Sequence, residues 1–331
     1  MRYSPVGLIV VLACGLLAVP RVGTAQRPGK VVRVGLLSSS FPAPRSTPFF
    51  EAFWEELHHF GYVEGQNLAI EFRTAEGQAE RLPALAAELA WLPVDVLVAP
   101  GPEVTLRAAR QATRTIPIVM VAIDYDPIAL GYVAGLPRPG EPITGVFFQQ
   151  LELTGKRLEL LKEAVPQMQR VAVLWDAFSA DQFRGAEDTA RVFGVQVHSL
   201  ALHNPPDYDF AGAFSAAVQG RADALLVLSS PIFHRERRQL TALALTHRLP
   251  AIFGQREFVE AGGLMAYGAN LATMYRRAAY YVDKLLKGAK PAELPVEQPR
   301  KFELVINRKT AQTLGLTLPP HLLVFADEVI Q

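Results

Sequence analysis

Asp124, Tyr125 and Asp126 stand together just after the apolar run Ile116–Val121. Two carboxylates at such a point suit a ligand ammonium. They suit equally the capping of a turn, because Asp126-Pro127 is a common turn opening. Chemistry of the opposite sign is available from the backbone. Pro100-Gly101-Pro102 leads through Glu103 into a helical pattern, and Ser229-Ser230-Pro231 leads through Phe233 into another. The first N–H groups of a helix lack intrahelical acceptors and favour a carboxylate or phosphate. For either loop taken singly, ordinary turn and capping chemistry explains the same residues. Ser38-Ser39-Ser40 ends the first apolar run, and Asp176 follows a later one. Phe178 and Phe233, with Trp175, suit stacking on a ligand ring or packing in a core. Arg256 and Glu257 either reach a cleft or pair with each other.

Motifs for bond-breaking chemistry are missing. There is no Walker loop, no G-x-S-x-G elbow and no H-E-x-x-H. His58 and His59 are adjacent on a helical pattern and cannot share a face as i,i+4 ligands would. His198, His203, His234 and His247 show no metal spacing, and Arg235, Arg237 and Arg238 read as a solvated face or a docking patch. The expectation is no catalytic residue, no metal and no cofactor.

The elements that must position these residues follow one grammar. The β-branched run Val31–Leu37 precedes a helix with Thr47 as N-cap and Pro48 in its first turn. Phe50, Phe53, Trp54 and Leu57 mark its inward face, and Gly61 ends it. Leu68–Phe72, Val94–Ala99 and Ile116–Val121 read as further strands, with helical patterns between them. The grammar restarts after Gly145. Thr154 caps a helix there, Val171–Trp175, Val195–Leu200, Ala224–Leu228, Pro250–Phe253 and Leu264–Tyr267 are strands, and one helix runs from Phe233 to His247. A long helix, Leu271–Leu286, and a proline-rich connector precede a last strand, Phe302–Ile306. Such alternation predicts right-handed βαβ units and parallel sheets covered on both faces.

The expected fold is therefore α/β, with two doubly wound parallel-sheet lobes joined by a multi-strand hinge. The expected boundaries are 31–146 with 268–300 for one lobe, and 147–267 with 301–331 for the other. Ligands of open parallel sheets bind outside the carboxyl ends of the strands. That rule selects Ser38–Arg45, Pro100–Glu103 and Ala122–Pro127 in one lobe, and Asp176–Gln182, Ser229–Phe233 and Gly254–Glu257 in the other.

The chain has 331 residues, half of them hydrophobic and a fifth charged, with a formal charge of +1. That suits two ordinary domains and gives no electrostatic case for nucleic acid. Residues 1–25 differ from the rest. Arg2, the apolar run Val6–Val19 and the small residues Gly23 and Ala25 describe a secretory signal peptide cut after Ala25. The run is shorter than a bilayer span and Pro20 interrupts it. Val11-Leu12-Ala13-Cys14 offers lipidation of Cys14 as the alternative. Cutting after Ala25 removes the sole cysteine, and with Arg2 and Arg21 gone, 31 basic residues face 32 acidic ones. The expected location is periplasmic or secreted.

Taken in order, several segments resemble the ABC-transporter substrate-binding family related to tryptophan- and tyrosine-binding proteins, within the type I periplasmic binding fold. They are Ile116-Pro117-Ile118-Val119 through Asp126-Pro127, Ile143–Val146, Gly254 through Glu260–Leu264, Phe302–Asn307, Lys309–Leu316 and Ala326–Ile330. Pro100-Gly101-Pro102 replaces the family's Gly-Thr or Ala-Thr step, and Tyr125 stands where many members have Ser. Ser229-Ser230-Pro231 stands where several carry an Asp-Asn type sequence. The resemblance implies a monomeric receptor that closes on a small ligand and delivers it to the membrane permease of an ABC importer. With the helix starts and carboxylates above, the first guess is a small carboxylate-bearing ligand of amino-acid type. A secreted α/β enzyme is the alternative. A repressor of similar fold would need an N-terminal DNA-binding motif where the signal segment stands.

Overall fold

The computed structural model describes residues 31–148, 151–299 and 301–331. The signal segment, its cut after Ala25 and Cys14 lie outside the described residues. Among the described residues, twelve strands form two sheets. Strands β1 (Val32–Ser38), β2 (Leu68–Thr74), β3 (Val96–Gly101), β4 (Ile118–Ile123) and β5 (Ile143–Phe148) make the first, in order β2-β1-β3-β4-β5. All its pairings are parallel. The second contains β6 (Arg170–Trp175), β7 (Gln196–Ala201), β8 (Ala224–Val227), β9 (Ala251–Phe253), β10 (Met265–Ala269), β11 (Phe302–Asn307) and β12 (Glu328–Ile330). Its order, read from one edge, is β7-β6-β8-β9-β10-β11-β12, with β10 and β11 antiparallel and the other neighbours parallel.

The two α/β lobes thus share one winding. In each, the first strand lies between the second and the third, so the order reverses beside β1 and beside β6. That reversal opens a crevice at the strand carboxyl ends. Both sheet faces are buried, as parallel sheets require. Val34, Leu36, Val96, Val98, Val119 and Val121 enter the core on one face of the first sheet. Leu37, Leu97, Ala99, Ile118, Met120 and Ala122 enter the core on the other. The second sheet likewise lies between two clusters.

The chain passes between the sheets after β5, after β10 and before β11. The helix Leu271–Leu286 leaves the second sheet and packs Met274, Ala278, Tyr281, Val282 and Leu285 into the first lobe, against Phe50, Phe53 and Leu57 of the helix Pro48–His59. Thr47 caps that latter helix, its hydroxyl accepting from the Phe50 N–H at 3.3 Å, with Pro48 in the first turn. The connector after the long helix runs alongside β5, where Glu297 exchanges backbone hydrogen bonds with Gly145 and Phe147.

Several local expectations change. Thr154 is not an N-cap: the helix begins earlier, at Leu151, and the fully buried Thr154 sits inside it. The expected helix Phe233–His247 is two helices, Pro231–Arg235 and Arg237–Thr246, broken at Glu236. Strand β12 and the short helix Arg256–Glu260 were absent from the alternation as read. Among the described residues no helix is long and apolar enough to cross a membrane, and no His/Cys/Asp/Glu group could hold a metal ion.

Candidate functional site

The crevices of the two sheets face each other across one cavity. Ser38, Ser39, Pro100, Gly101 and Asp124 line it from the first lobe, and Phe178, Ser229 and Ser230 from the second. Four of the five loops represented follow the strands flanking the two order reversals. Gly101 is required there, because its φ of +102° is a conformation that L side chains rarely adopt.

Asp124 is placed by its backbone. It follows β4 with φ +73°, unusual for a non-glycine residue, and its N–H donates to the Phe148 carbonyl at 2.9 Å. Its Oδ2 accepts from Nε2 of Gln182, in the helix Ala180–Val192 of the second lobe, at 2.5 Å. Gln182 is 0 % exposed. Its other contacts fix the amide's orientation: Nε2 also donates to the Ser229 carbonyl, and Oε1 accepts the Ser229 N–H, each at 3.0 Å. Ser229 Oγ then accepts from Gln255 Nε2 at 3.0 Å. A hydrogen-bonded chain therefore runs from Asp124 across the cleft to Gln255, itself at the cavity.

Asp176 lies behind this wall. It caps the short turn Ala177–Ser179, accepting from the Phe178 N–H at 3.0 Å and from Ser179 Oγ at 3.2 Å. Its other oxygen accepts from Ser230 Oγ at 2.5 Å and from Tyr208 Oη at 3.1 Å. Burial pushes its pKa up, and these hydrogen bonds oppose the shift. Asp176 thus orients Phe178 and Ser230 from outside the cavity lining. Ser230 in turn accepts the Ile232 N–H at 3.2 Å, so the serine already caps its own helix. At the other loop, Pro102 precedes the helix Glu103–Ala112 and offers no capping side chain. Its first-turn N–H groups therefore lack that competitor.

Much of the remaining wall is aromatic. Phe41, Phe49, Phe50 and Tyr275 line it from the first lobe, and His234 from the second. Phe49 and Tyr275 rings lie 4.6 Å apart, and Phe49 and His234 rings 5.1 Å apart. None of these is read as a ligand-binding residue in the sequence. Phe50 marks there the inward face of a helix, but that helix, Pro48–His59, starts just after the β1 loop, at the cleft end of the lobe. Arg157 was missed too. It is 0 % exposed, its Nε donates to the Tyr267 carbonyl at 2.7 Å, and burial holds its pKa down to about 10 against the opposing pull of Asp124. A side chain at Gly268 would collide with the Gly254 carbonyl and approach the Arg157 guanidinium. The available signal was an arginine on the buried helix face that carries Leu153, Leu158 and Leu161.

The other expected residues lie outside the lining. Ser40 Oγ accepts from Arg235 Nη1 across the lobes at 3.5 Å. Glu103 accepts from Tyr132 and pairs with Arg107 at 3.2 Å. Tyr125 is buried in the first lobe's core. Asp126 caps a turn, accepting from the N–H groups of Ile128 at 2.8 Å and Ala129 at 3.2 Å. Phe233 packs with Tyr208 and Phe210. Arg256 does not pair with Glu257 but with Glu260, Glu303 and Glu328. Glu257 is buried beside it, and burial pushes its pKa up to about 7.

Residues 47–330 match the family model described as ABC transporter substrate binding protein. A tyrosine-binding protein of Clostridioides difficile (strain R20291) is 23% identical over 269 residues, covering 80% of this chain and 76% of that protein. Among solved structures, a conserved domain protein of Vibrio cholerae O1 biovar El Tor superposes with a TM-score of 0.79 at 24% identity, covering 91% of this chain and 100% of that one. An ABC domain of Streptococcus pneumonia in complex with L-Trp gives 0.77 at 24% identity, covering 90% of this chain and 99% of that one.

Proposed function

This chain belongs to the ABC transporter substrate binding protein family, a family of solute-binding receptors and not of enzymes, and from that membership we propose that it is the extracytoplasmic receptor of an importer for an aromatic amino acid. The lobes 31–146 with 268–300 and 147–267 with 301–331 close on the ligand, and the closed monomer presents it to a membrane permease.

The observation that carries this reading is Asp124, a carboxylate in the lining of a cavity between two lobes that also carries Phe41, Phe49, Phe50, Phe178 and Tyr275. It takes the ligand ammonium while Gln182 occupies one of its oxygens. A carboxylate has lone pairs enough for both. The ligand carboxylate lies against the N–H groups that open the helix Glu103–Ala112, where the uncapped helix start and its dipole favour an anion. Phe41, Phe49, Phe178 and Tyr275 form the apolar wall that suits a ring. The names of the tyrosine-binding relative and of the L-Trp complex support the same class.

Titration calorimetry with L-Trp, L-Tyr and L-Phe tests it, alongside analogues lacking the amine or the carboxylate. Tight binding of at least one amino acid, lost with either analogue, is expected. Binding of the amine-free acid as tightly as its parent would sink the ammonium role.

A further inference from the structure

His234 is a polar side chain of the cavity that the amino acid backbone leaves without a task. His234 lines the aromatic end, is 5 % exposed, and lies at the close of the short helix after Ser230. Three rings surround it edge-on: Phe49 at 5.1 Å and Phe41 at 5.7 Å from the first lobe, and Phe258 at 5.8 Å from its own. Its Nε2 is buried and, among the described residues, has no hydrogen-bond partner. A buried polar atom left so is costly and calls for an explanation. Protonation does not supply one. Burial, with Arg237 adding to it, holds the imidazole pKa down to about 3. The ring is neutral near pH 7, with one nitrogen donating and the other accepting.

We infer that His234 is the specificity-determining residue of the cavity, hydrogen-bonding the heteroatom on the ligand's ring, an indole N–H or a phenol O–H, and so separating such ligands from a plain phenyl side chain. This rests on the aromatic amino acid reading above and adds to it the residue that chooses among aromatic amino acids. The contact belongs to the closed state, because two of the three rings that hold the imidazole come from the opposite lobe. A site built around a hydrogen-bonding group rejects the analogue lacking it, since its own polar atom is then left unpaired. Packing alone would give no such discrimination, because phenylalanine at this position would serve as well.

The experiment compares L-Trp, L-Tyr and L-Phe on the wild-type protein and on His234→Phe, which keeps an aromatic ring and removes both nitrogens. The wild type is expected to bind L-Trp or L-Tyr at least about tenfold more tightly than L-Phe. In His234→Phe that ratio falls below about threefold while L-Phe affinity is held within about threefold. An unchanged ratio in the variant, or equal wild-type affinity for all three, overturns the role of His234 and leaves the aromatic reading standing. Binding of none of the three by the wild type overturns the aromatic reading itself, and this inference with it. Should His234→Phe fail to fold, imidazole nitrogen chemical shifts of the wild type read the same contact. They should move at saturation with the preferred ligand, and unmoved His234 nitrogens count against the proposal.

Discussion

Nε2 of Gln182 lies 2.5 Å from Oδ2 of Asp124, so a helix of one lobe holds a strand-end loop of the other. The same amide makes a closed pair of hydrogen bonds with the backbone N–H and carbonyl of Ser229. One buried side chain therefore joins three segments far apart in sequence, with both hydrogens of its Nε2 and its Oε1 engaged.

Gln182→Met keeps the length and loses every one of these bonds. It leaves the Ser229 N–H and carbonyl buried without that partner, at a cost of about 1–3 kcal/mol for each group so stranded. Urea denaturation should show the loss as a lower midpoint with an unchanged slope. A variant as stable as the wild type would show that water or backbone movement replaces the amide.

The two carboxylates of the Asp124–Asp126 segment should now behave differently. Asp124→Asn is expected to weaken binding of an amino acid by about 2–5 kcal/mol, as for a broken buried charge pair. Asp126→Asn should leave affinity unchanged, since Asp126 caps the turn at Ile128 and Ala129. Its effect belongs to stability and should stay within about 1 kcal/mol. Calorimetric titration of both variants with the same ligand checks the contrast.

Closure should be measurable in solution. Chain crossings after β5, after β10 and before β11 allow the lobes to move as bodies, and a ligand touching both favours the closed arrangement. Small-angle scattering at saturating ligand is expected to show a smaller radius of gyration than the ligand-free protein. No change at saturation counts against a hinge.

Two buried groups set opposing pH dependences. Burial raises Glu257 to about 7 from 4.5, with Glu260 adding to the rise and Arg237 and Arg256 opposing it. The folded state then binds more protons than the unfolded chain between those values, and stability falls as pH rises through that window. Burial lowers His234 to about 3 from 6.5, so over that range the unfolded chain binds more protons and stability rises with pH. The two cancel in part between about pH 4.5 and 6.5, and Glu257 alone acts above that. Glu257→Gln should remove the decline between about pH 6.5 and 8, which amounts to about 1 kcal/mol over that range. Denaturation midpoints of variant and wild type across that range read it. Parallel curves would mean that Glu257 stays charged where it lies.

Much of this protein is written locally. Thr47 and Pro48 start a helix through a hydroxyl and a fixed φ. The spacing of Met274, Ala278, Tyr281, Val282 and Leu285 marks the buried side of another, because a helix repeats every 3.6 residues. The β-branched runs between helices announce parallel strands, and the strand-end rule points to loops that line the cavity, Ser38-Ser39 and Ser229-Ser230 among them. These signals need only residues a few positions apart. What the tertiary structure decided depends on partners far away in the chain. Gln182 meets Asp124 from 58 positions away, and Arg157 meets the Tyr267 carbonyl from 110. His234 becomes a cavity residue only when the first lobe brings Phe41 and Phe49 against it. Asp124 and Asp126 look alike in sequence, two residues apart. A left-handed backbone turns one toward the cleft, and the turn at Ile128 occupies the other. No periodicity separates them, because the difference lies in which neighbour each carboxylate finds once the two sheets face each other.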